Sequence, residues 1–177
     1  MARPTTKRRL RDIDPNDFGR DIADRVKAHV TALLDVNDVD LARIVARHLV
    51  DVAEKASLLA QYALDGAIEV ERASAALFAV RMWLYSCAAH ATNMVIEKPD
   101  VFPSEDIGLV LLAAHARVRL SRKQAVPVRE LACLAGVDPD HVRLLARQGQ
   151  MAMISGGVVA SKIAKQWLTA RGVPLTS

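Results

Sequence analysis

From Val45 onward, apolar side chains return every seven residues. Val45, Val52 and Leu59 form one series, and Leu49, Ala56 and Ala63 form a second one four positions on. After Asp65-Gly66 the pattern resumes with Val70, Leu77, Leu84 and Ala91, beside Ala73, Val80, Cys87 and Met94. A strand repeats every two residues, so a sevenfold recurrence in paired seams reads as one face of a helix. The Asp65-Gly66 break is only long enough to reverse direction, with Gly66 as a left-handed cap. Two long helices in an antiparallel hairpin are therefore expected. Small residues on the seams suit close packing within a bundle as well as a coiled coil, so the pattern does not require a parallel one.

Composition agrees with helices. The 177 residues include 29 alanines, 20 leucines and 20 valines against 8 glycines and 7 prolines. That balance disfavours a sandwich of short strands. With 51% hydrophobic residues, the chain has enough apolar mass for one generous domain or two small ones, and disorder as the dominant state is excluded. Two cysteines, Cys87 and Cys133, are too few for a disulfide scaffold and fit a reducing, cytoplasmic setting. No apolar stretch follows the basic amino terminus, so no secretory signal is read there. Ala73 to Ile96 is long enough to span a bilayer, but Arg81 would lie well inside it at a cost of about 2.5–3.5 kcal/mol. The expectation is a helix buried in a bundle, with no membrane partner.

The net charge of +4 divides unevenly. Residues 1–11 carry five basic and no acidic side chains, residues 12–116 carry 9 basic and 17 acidic, and residues 117–177 carry 10 basic and 3 acidic. Basic ends around an acidic middle point to a polyanion held by the ends, and nucleic acid is the commonest such partner.

Punctuation divides the chain further. Residues 1–13 read as a basic arm without structure of its own. Asp14-Pro15 starts a helix whose face is Phe18, Ile22, Val26, Val30 and Leu33, with Asp as cap and Pro at the first helical position. Asn37-Asp38 caps the next helix. Residues 14–98 then form a helical bundle with more apolar surface than one hairpin buries, which points to a homodimer or higher homo-oligomer. Pro99 and Pro103 interrupt. Ser104-Glu105-Asp106 opens a helix over 104–124 that carries Ile107, Leu111, Ala114 and Val118 and ends in Arg117, Arg119, Arg122 and Lys123. It reads as a connector to the last domain.

The most informative stretch is Val128 to Leu145, VRELACLAGVDPDHVRLL. Ala132, Gly136, Val142 and Leu145 place a small residue, a glycine for a positive φ, and two apolar anchors at offsets 0, 4, 10 and 13. That is the packing skeleton of a helix-turn-helix, with Val137 plugging the turn and Asp138-Pro139 starting the second helix. Gly149 ends that helix. Met151-Ala152-Met153-Ile154 and Val158-Val159 flank Ser155-Gly156-Gly157 as a short β-hairpin. Ser161 caps a final helix with Ile163, Ala164, Trp167 and Leu168, closed by Gly172 and Pro174. In this order the segment resembles the winged helix-turn-helix of the MerR and excisionase superfamily over about residues 126–173.

The resemblance implies double-stranded DNA as partner and the helix over 139–148 in the major groove. Arg143 matches the family's backbone-contacting residue, and Asp140, His141 and Leu144 match its groove-facing positions. Arg129, Arg147 and Gln148 join them as candidate contacts, along with Lys162 and Lys165 on the last helix. The wing tip, Ser-Gly-Gly, lacks the basic residue common in the family, and Asp138 and Asp140 place two acids near the polyanion. The domain order is also reversed relative to MerR regulators, so inducer binding is not carried over. Arg3, Lys7, Arg8, Arg9 and Arg11 could track a minor groove or simply solubilise the tail. Each lysine and arginine has the alternative of a solvated helix face, and Trp167 reads first as a core plug.

Catalytic chemistry is sparse. His48 and Asp51 share a helical face but lack a second ligand pair. His29, His90 and His115 are each alone on their helices, and Cys133 reads as a small apolar residue. No phosphate loop, nucleophile elbow or paired-cysteine zinc pattern is present, so no enzyme, metal or cofactor is expected. The resulting expectation is a mainly α protein with an N-terminal helical bundle containing a long antiparallel helix hairpin and a C-terminal winged helix-turn-helix with a short β-hairpin. It would act as a homodimeric, sequence-specific transcriptional repressor. An architectural DNA-binding protein (excisionase-like or phage-packaging-like) and a protein-interaction module without DNA binding are the alternatives.

Overall fold

A computed structural model describes residues 9–33, 39–92, 105–154 and 156–175, with the side chains of 32, 33, 39–41 and 87–92 left aside. The chain is mainly helical with a small three-stranded antiparallel sheet. A 3-10 turn at Leu10–Asp12 precedes α1 (Pro15–Leu33), α2 (Val39–Asp65), α3 (Val70–Thr92) and α4 (Glu105–Ser121). Then come β1 (Val126–Pro127), α5 (Val128–Ala135), α6 (Pro139–Arg147), β2 (Met153–Ile154), β3 (Val158–Val159) and α7 (Ser161–Ala170). The helix starts follow their caps. Asp14 accepts from the backbone N–H of Asn16 at 2.8 Å and of Asp17 at 3.0 Å, satisfying donors that a helix start leaves open.

The sevenfold seams face inward. Val52, Leu59, Ala56, Ala63, Leu77, Leu84, Ala73 and Val80 are buried, while Cys87, Ala91 and Met94 lie outside the described side chains. The seams are filled chiefly by α1 and α4 as well as by each other, and α1 packs along α2 more extensively than α3 does. That intimacy depends on Gly19. A Cβ there would collide with the Ser57 hydroxyl and stand 2.6 Å from the Ala53 carbonyl oxygen, on a stretch of α2 that carries the core. Gly19→Ala is therefore expected to lower stability by about 1 to 3 kcal/mol, the range for overpacking. Elsewhere in a helix the same change stabilises. A rise in the urea midpoint would show that the two helices can separate at no cost.

α4 is more than a connector. Ile107, Val110, Leu111, Ala113, Ala114, Ala116, Arg117, Val118 and Leu120 are all buried, and α4 touches α2, α3, α5, α7, β1 and the 3-10 turn. A helix apolar on all sides belongs in the middle of its protein. One continuous core cluster accordingly runs from Leu10 to Leu168. The expected arm also ends earlier than residue 13. Leu10 and Ile13 are buried, because an apolar pair this close to a helix start can reach the bundle.

The basic run at the end of α4 is largely engaged inside the fold. Arg117 is 3% exposed. Its Nε donates to the Ala63 carbonyl at 2.9 Å, and its terminal nitrogens donate to the carbonyls of Leu64 at 2.7 Å and Pro174 at 2.6 Å. It thus satisfies carbonyls that the C-terminus of α2 leaves without intrahelical donors. Gly66, at φ 72°, leaves room for it, since a Cβ there would lie 2.5 Å from the guanidinium. Arg119 pairs with Glu130 on α5 at 3.1 Å, and Arg122 reaches Glu71 at 3.3 Å and the Ser74 hydroxyl at 3.2 Å. Lys123, two residues past the end of α4, lies in the left-handed region at φ 56°.

His115 also has a partner. Arg81 is 3.1 Å from its Nε2 and also approaches the Tyr85 hydroxyl at 3.4 Å. Burial, then the charges of Arg81 and Arg119, hold the imidazole down at about 4.

Candidate nucleic-acid interface

The last third of the chain is built around two short helices and a sharp turn. α5 ends where Gly136 takes φ 65° and ψ 31°, a conformation that favours glycine. Asp138 then caps α6, its carboxylate accepting from the Asp140 N–H at 2.8 Å, with Pro139 in the first turn. Val142 is buried against α5, and Leu145 is half-buried on the same side. The three strands are ordered β1-β3-β2. Val159 pairs with Val126 and Met153, and Val158 pairs with Pro127 and Ile154. β1 is a strand that the sequence pattern did not indicate. Pro127, with no N–H to donate, sits on an edge strand where that loss is tolerated. Gly156 and Gly157 carry φ of 85° and 74° on the approach to β3.

The outer face of α6 gathers Asp140, His141, Arg143, Leu144, Arg147 and, just past the helix, Gln148, all exposed. Arg143 is held by Asp140 one turn earlier, at 2.5 Å. Asp140, in the first turn of α6, thus orients a basic side chain as well as adding negative charge. Arg129 is exposed on α5. Lys162 is exposed on α7. Lys165 is half-buried and lines a cavity of about 10 Å³ with Arg117, Leu120, Ser121 and Leu175. It faces the end of α4, so the structure does not bring it to the α6 face.

Of the amino-terminal basic residues, Arg3, Lys7 and Arg8 lie outside the described residues. Arg9 and Arg11 are exposed around the 3-10 turn: the Arg9 N–H donates to the Asp12 carboxylate at 3.1 Å, and Arg11 lies 3.9 Å from it. That turn packs on α2 and α4.

One sequence expectation changes in detail, and one residue of this face had gone unnoticed. Ser161 is the first residue of α7 and Ala160 occupies the cap position without a side-chain bond. The Ser161 hydroxyl instead donates to the Leu120 carbonyl at 3.5 Å. Arg171, absent from the expected contacts, stacks its guanidinium 4.5 Å from the centre of the Trp167 ring and lies 3.1 Å from His141 Nε2. The signal was an arginine four residues after a tryptophan at a helix end, a spacing that brings the two together.

Among the described residues, no group of three or more histidine, cysteine or acidic side chains is placed to hold a metal ion. His48 packs edge-on to Trp83 with ring centres 5.7 Å apart, and Asp51 pairs with Lys55 at 2.6 Å. The Cys133 thiol is half-buried and donates to the Leu109 carbonyl at 3.4 Å. Burial pushes it up to about 12, which leaves little thiolate for chemistry. No described helix is long and apolar enough to cross a membrane.

Compared with protein-family models, curated proteins and solved structures, the chain matches none of them.

Proposed function

We propose that this chain is a sequence-specific DNA-binding regulator, a homodimeric repressor that places α6 in the major groove. The observation that carries the reading is the exposed face of α6. It presents His141, Arg143, Leu144, Arg147 and Gln148 on a helix that follows a left-handed glycine turn and starts at an aspartate cap. α5, the turn, α6, the β2–β3 pair and α7 follow one another as in a winged helix-turn-helix. Arg143 and Arg147 are the phosphate or guanine contacts in this reading. The Asp140 pair holds Arg143 ready while occupying one of its donors, so DNA must compete with that carboxylate.

Dimerisation is supported by apolar side chains that the monomer leaves in water. Phe78 is 68% and Met82 48% exposed, one turn apart on α3, and Ile44 and Val50 are exposed on α2. Two copies joined there would present two α6 helices to a pseudo-palindromic site.

Selection from random DNA at low salt tests the assignment, and an enriched sequence is expected. On that sequence Arg143→Ala/Arg147→Ala is expected to lower affinity more than tenfold with an unchanged solution mass. Each lost phosphate contact should reduce the log–log salt slope by about 0.9. Unchanged binding by the double variant would sink the reading. A ring or filament by mass would favour an architectural role over a repressor.

A second reading is favoured by Leu144 and Ile154, exposed at 47% and 50% on α6 and on β2. These apolar side chains fit a protein partner, and failure to enrich any DNA sequence would select it.

A further inference from the structure

Resting on the DNA reading above, we infer that Arg171 and Trp167 form a positioning device that makes His141 a one-way hydrogen-bond donor to a base edge. Guanidinium nitrogens donate and never accept. Arg171 Nη2 stands 3.1 Å from His141 Nε2, so that ring nitrogen must be the acceptor. The imidazole is then neutral with its proton on Nδ1. The tautomer is set by a partner on another helix.

Three constraints hold Arg171 for this task. Its own N–H donates to the Leu168 carbonyl at 3.0 Å, and the Gly172 and Val173 N–H groups close the same turn onto Thr169 and Leu168 at 3.0 and 3.1 Å. Its guanidinium lies over Trp167 at 4.5 Å, a cation–π contact that favours a flat, stacked arginine. Trp167 in turn packs against the core. Little freedom is left for the side chain to wander from His141.

His141 is exposed in the first turn of α6, where base edges are read in helix-turn-helix proteins. With Nε2 occupied, Nδ1–H is its remaining polar group and can only donate. In the major groove such a donor suits guanine O6 or N7, adenine N7 or thymine O4, and it rejects the cytosine N4 amine. The charged groups of the same turn are Asp138 and Asp140. The Asp138 carboxylate accepts from the Asp140 N–H, and Asp140 holds Arg143.

The test uses the full chain and the DNA sequence it enriches. Long-range 1H–15N spectra of the free protein at about pH 8 should show Nδ1 protonated and Nε2 bare for His141. In Arg171→Ala the population should shift toward the Nε2–H form. Binding to DNA variants should then show that Arg171→Ala weakens the preference for an acceptor base at one position about fivefold, the low end for a specific contact. In a His141→Ala background the same substitution should leave that preference unchanged.

A wild-type Nε2–H spectrum overturns the proposal. So does an Arg171→Ala variant that loses affinity equally on every sequence with a shallower salt slope in both backgrounds, the mark of a plain phosphate contact. Should the wild-type chain enrich no sequence, the DNA reading falls and this role for His141 falls with it. An enriched sequence whose base preferences ignore Arg171 defeats this inference alone.

Discussion

Replacing Arg117 with alanine is expected to cost about 3 to 5 kcal/mol of stability, the sum of buried carbonyls left without donors and space left unfilled, less the desolvation that the buried charge no longer costs. Three backbone carbonyls, those of Ala63, Leu64 and Pro174, take their hydrogen bonds from this one side chain. A buried group left without a partner costs about 1 to 3 kcal/mol, and deletion of the side chain adds an unfilled space. Burial also pushes the guanidinium below its ordinary range, against the raising influence of Tyr62 and Asp65. Part of the interaction energy is thus already spent on desolvation. Arg117→Lys separates charge from geometry. A lysine keeps the charge but cannot present a fork to carbonyls from two parts of the chain, so it should recover only part of the loss. Urea midpoints of the three proteins decide the matter. An alanine variant within 0.5 kcal/mol of wild type, about the effect of a neutral surface change, would show the network to be dispensable.

The second large effect is a loss of stability in mild acid centred on His115. The folded imidazole titrates at about 4 and the unfolded one near its ordinary 6.5. Between those values the unfolded chain binds more protons, so stability is fully present above about pH 6.5 and drains away as the pH falls towards 4. From pH 7 to pH 5 the loss attributable to this group is about 2 kcal/mol. The cause is local. The ring is half-buried, with Arg81 and Arg119 adding positive charge nearby, and its Nε2 already accepts from Arg81. Protonation would set two donors and two like charges against each other.

Glu130 works in the opposite sense. Burial raises its carboxyl despite Arg119 beside it, so its contribution improves as the pH falls through the carboxylate range. His115→Gln keeps an acceptor for Arg81 and removes the titration. Its stability should change less than the wild type's from pH 7 to pH 5, and equal slopes for the two proteins would locate the acid sensitivity elsewhere.

Local signals were easy to read from the chain because their physics is local. Asp14 and Asp138 cap helices through bonds within three residues, and Gly66 and Gly136 adopt the left-handed geometry their positions demanded. The sevenfold seams likewise showed which faces turn inward. What the seams meet was harder to see. Nothing local marks Gly19, whose closest neighbours, Ala53 and Ser57, lie on another helix.

The basic run at the end of α4 was misleading for a related reason. Charge in a sequence carries no record of its partner, and Arg117, Arg119 and Arg122 spend theirs on Ala63, Glu130 and Glu71. The excess of basic residues in the last third therefore overstates what is free to meet a polyanion. α4 itself carried a clue in its unbroken apolar run from Leu109 to Ala114, which marks a helix surrounded on all sides. On the α6 face, the side-chain types were visible but their pairing was not. Arg171 meets His141 across 30 positions of chain, a distance no local pattern spans.

The unbroken cluster from Leu10 to Leu168 bears on how the molecule comes apart. Ordinarily a small recognition module can be cut from its neighbours and studied by itself. Here α4 serves as the inner wall of both halves, so a cut before Val126 would strip α5 and α7 of the surface they rest on. Melting should consequently be a single cooperative event in which the α6 helix is lost together with the seams of α2 and α3. Any force that loosens the bundle is felt at once on the exposed face of α6.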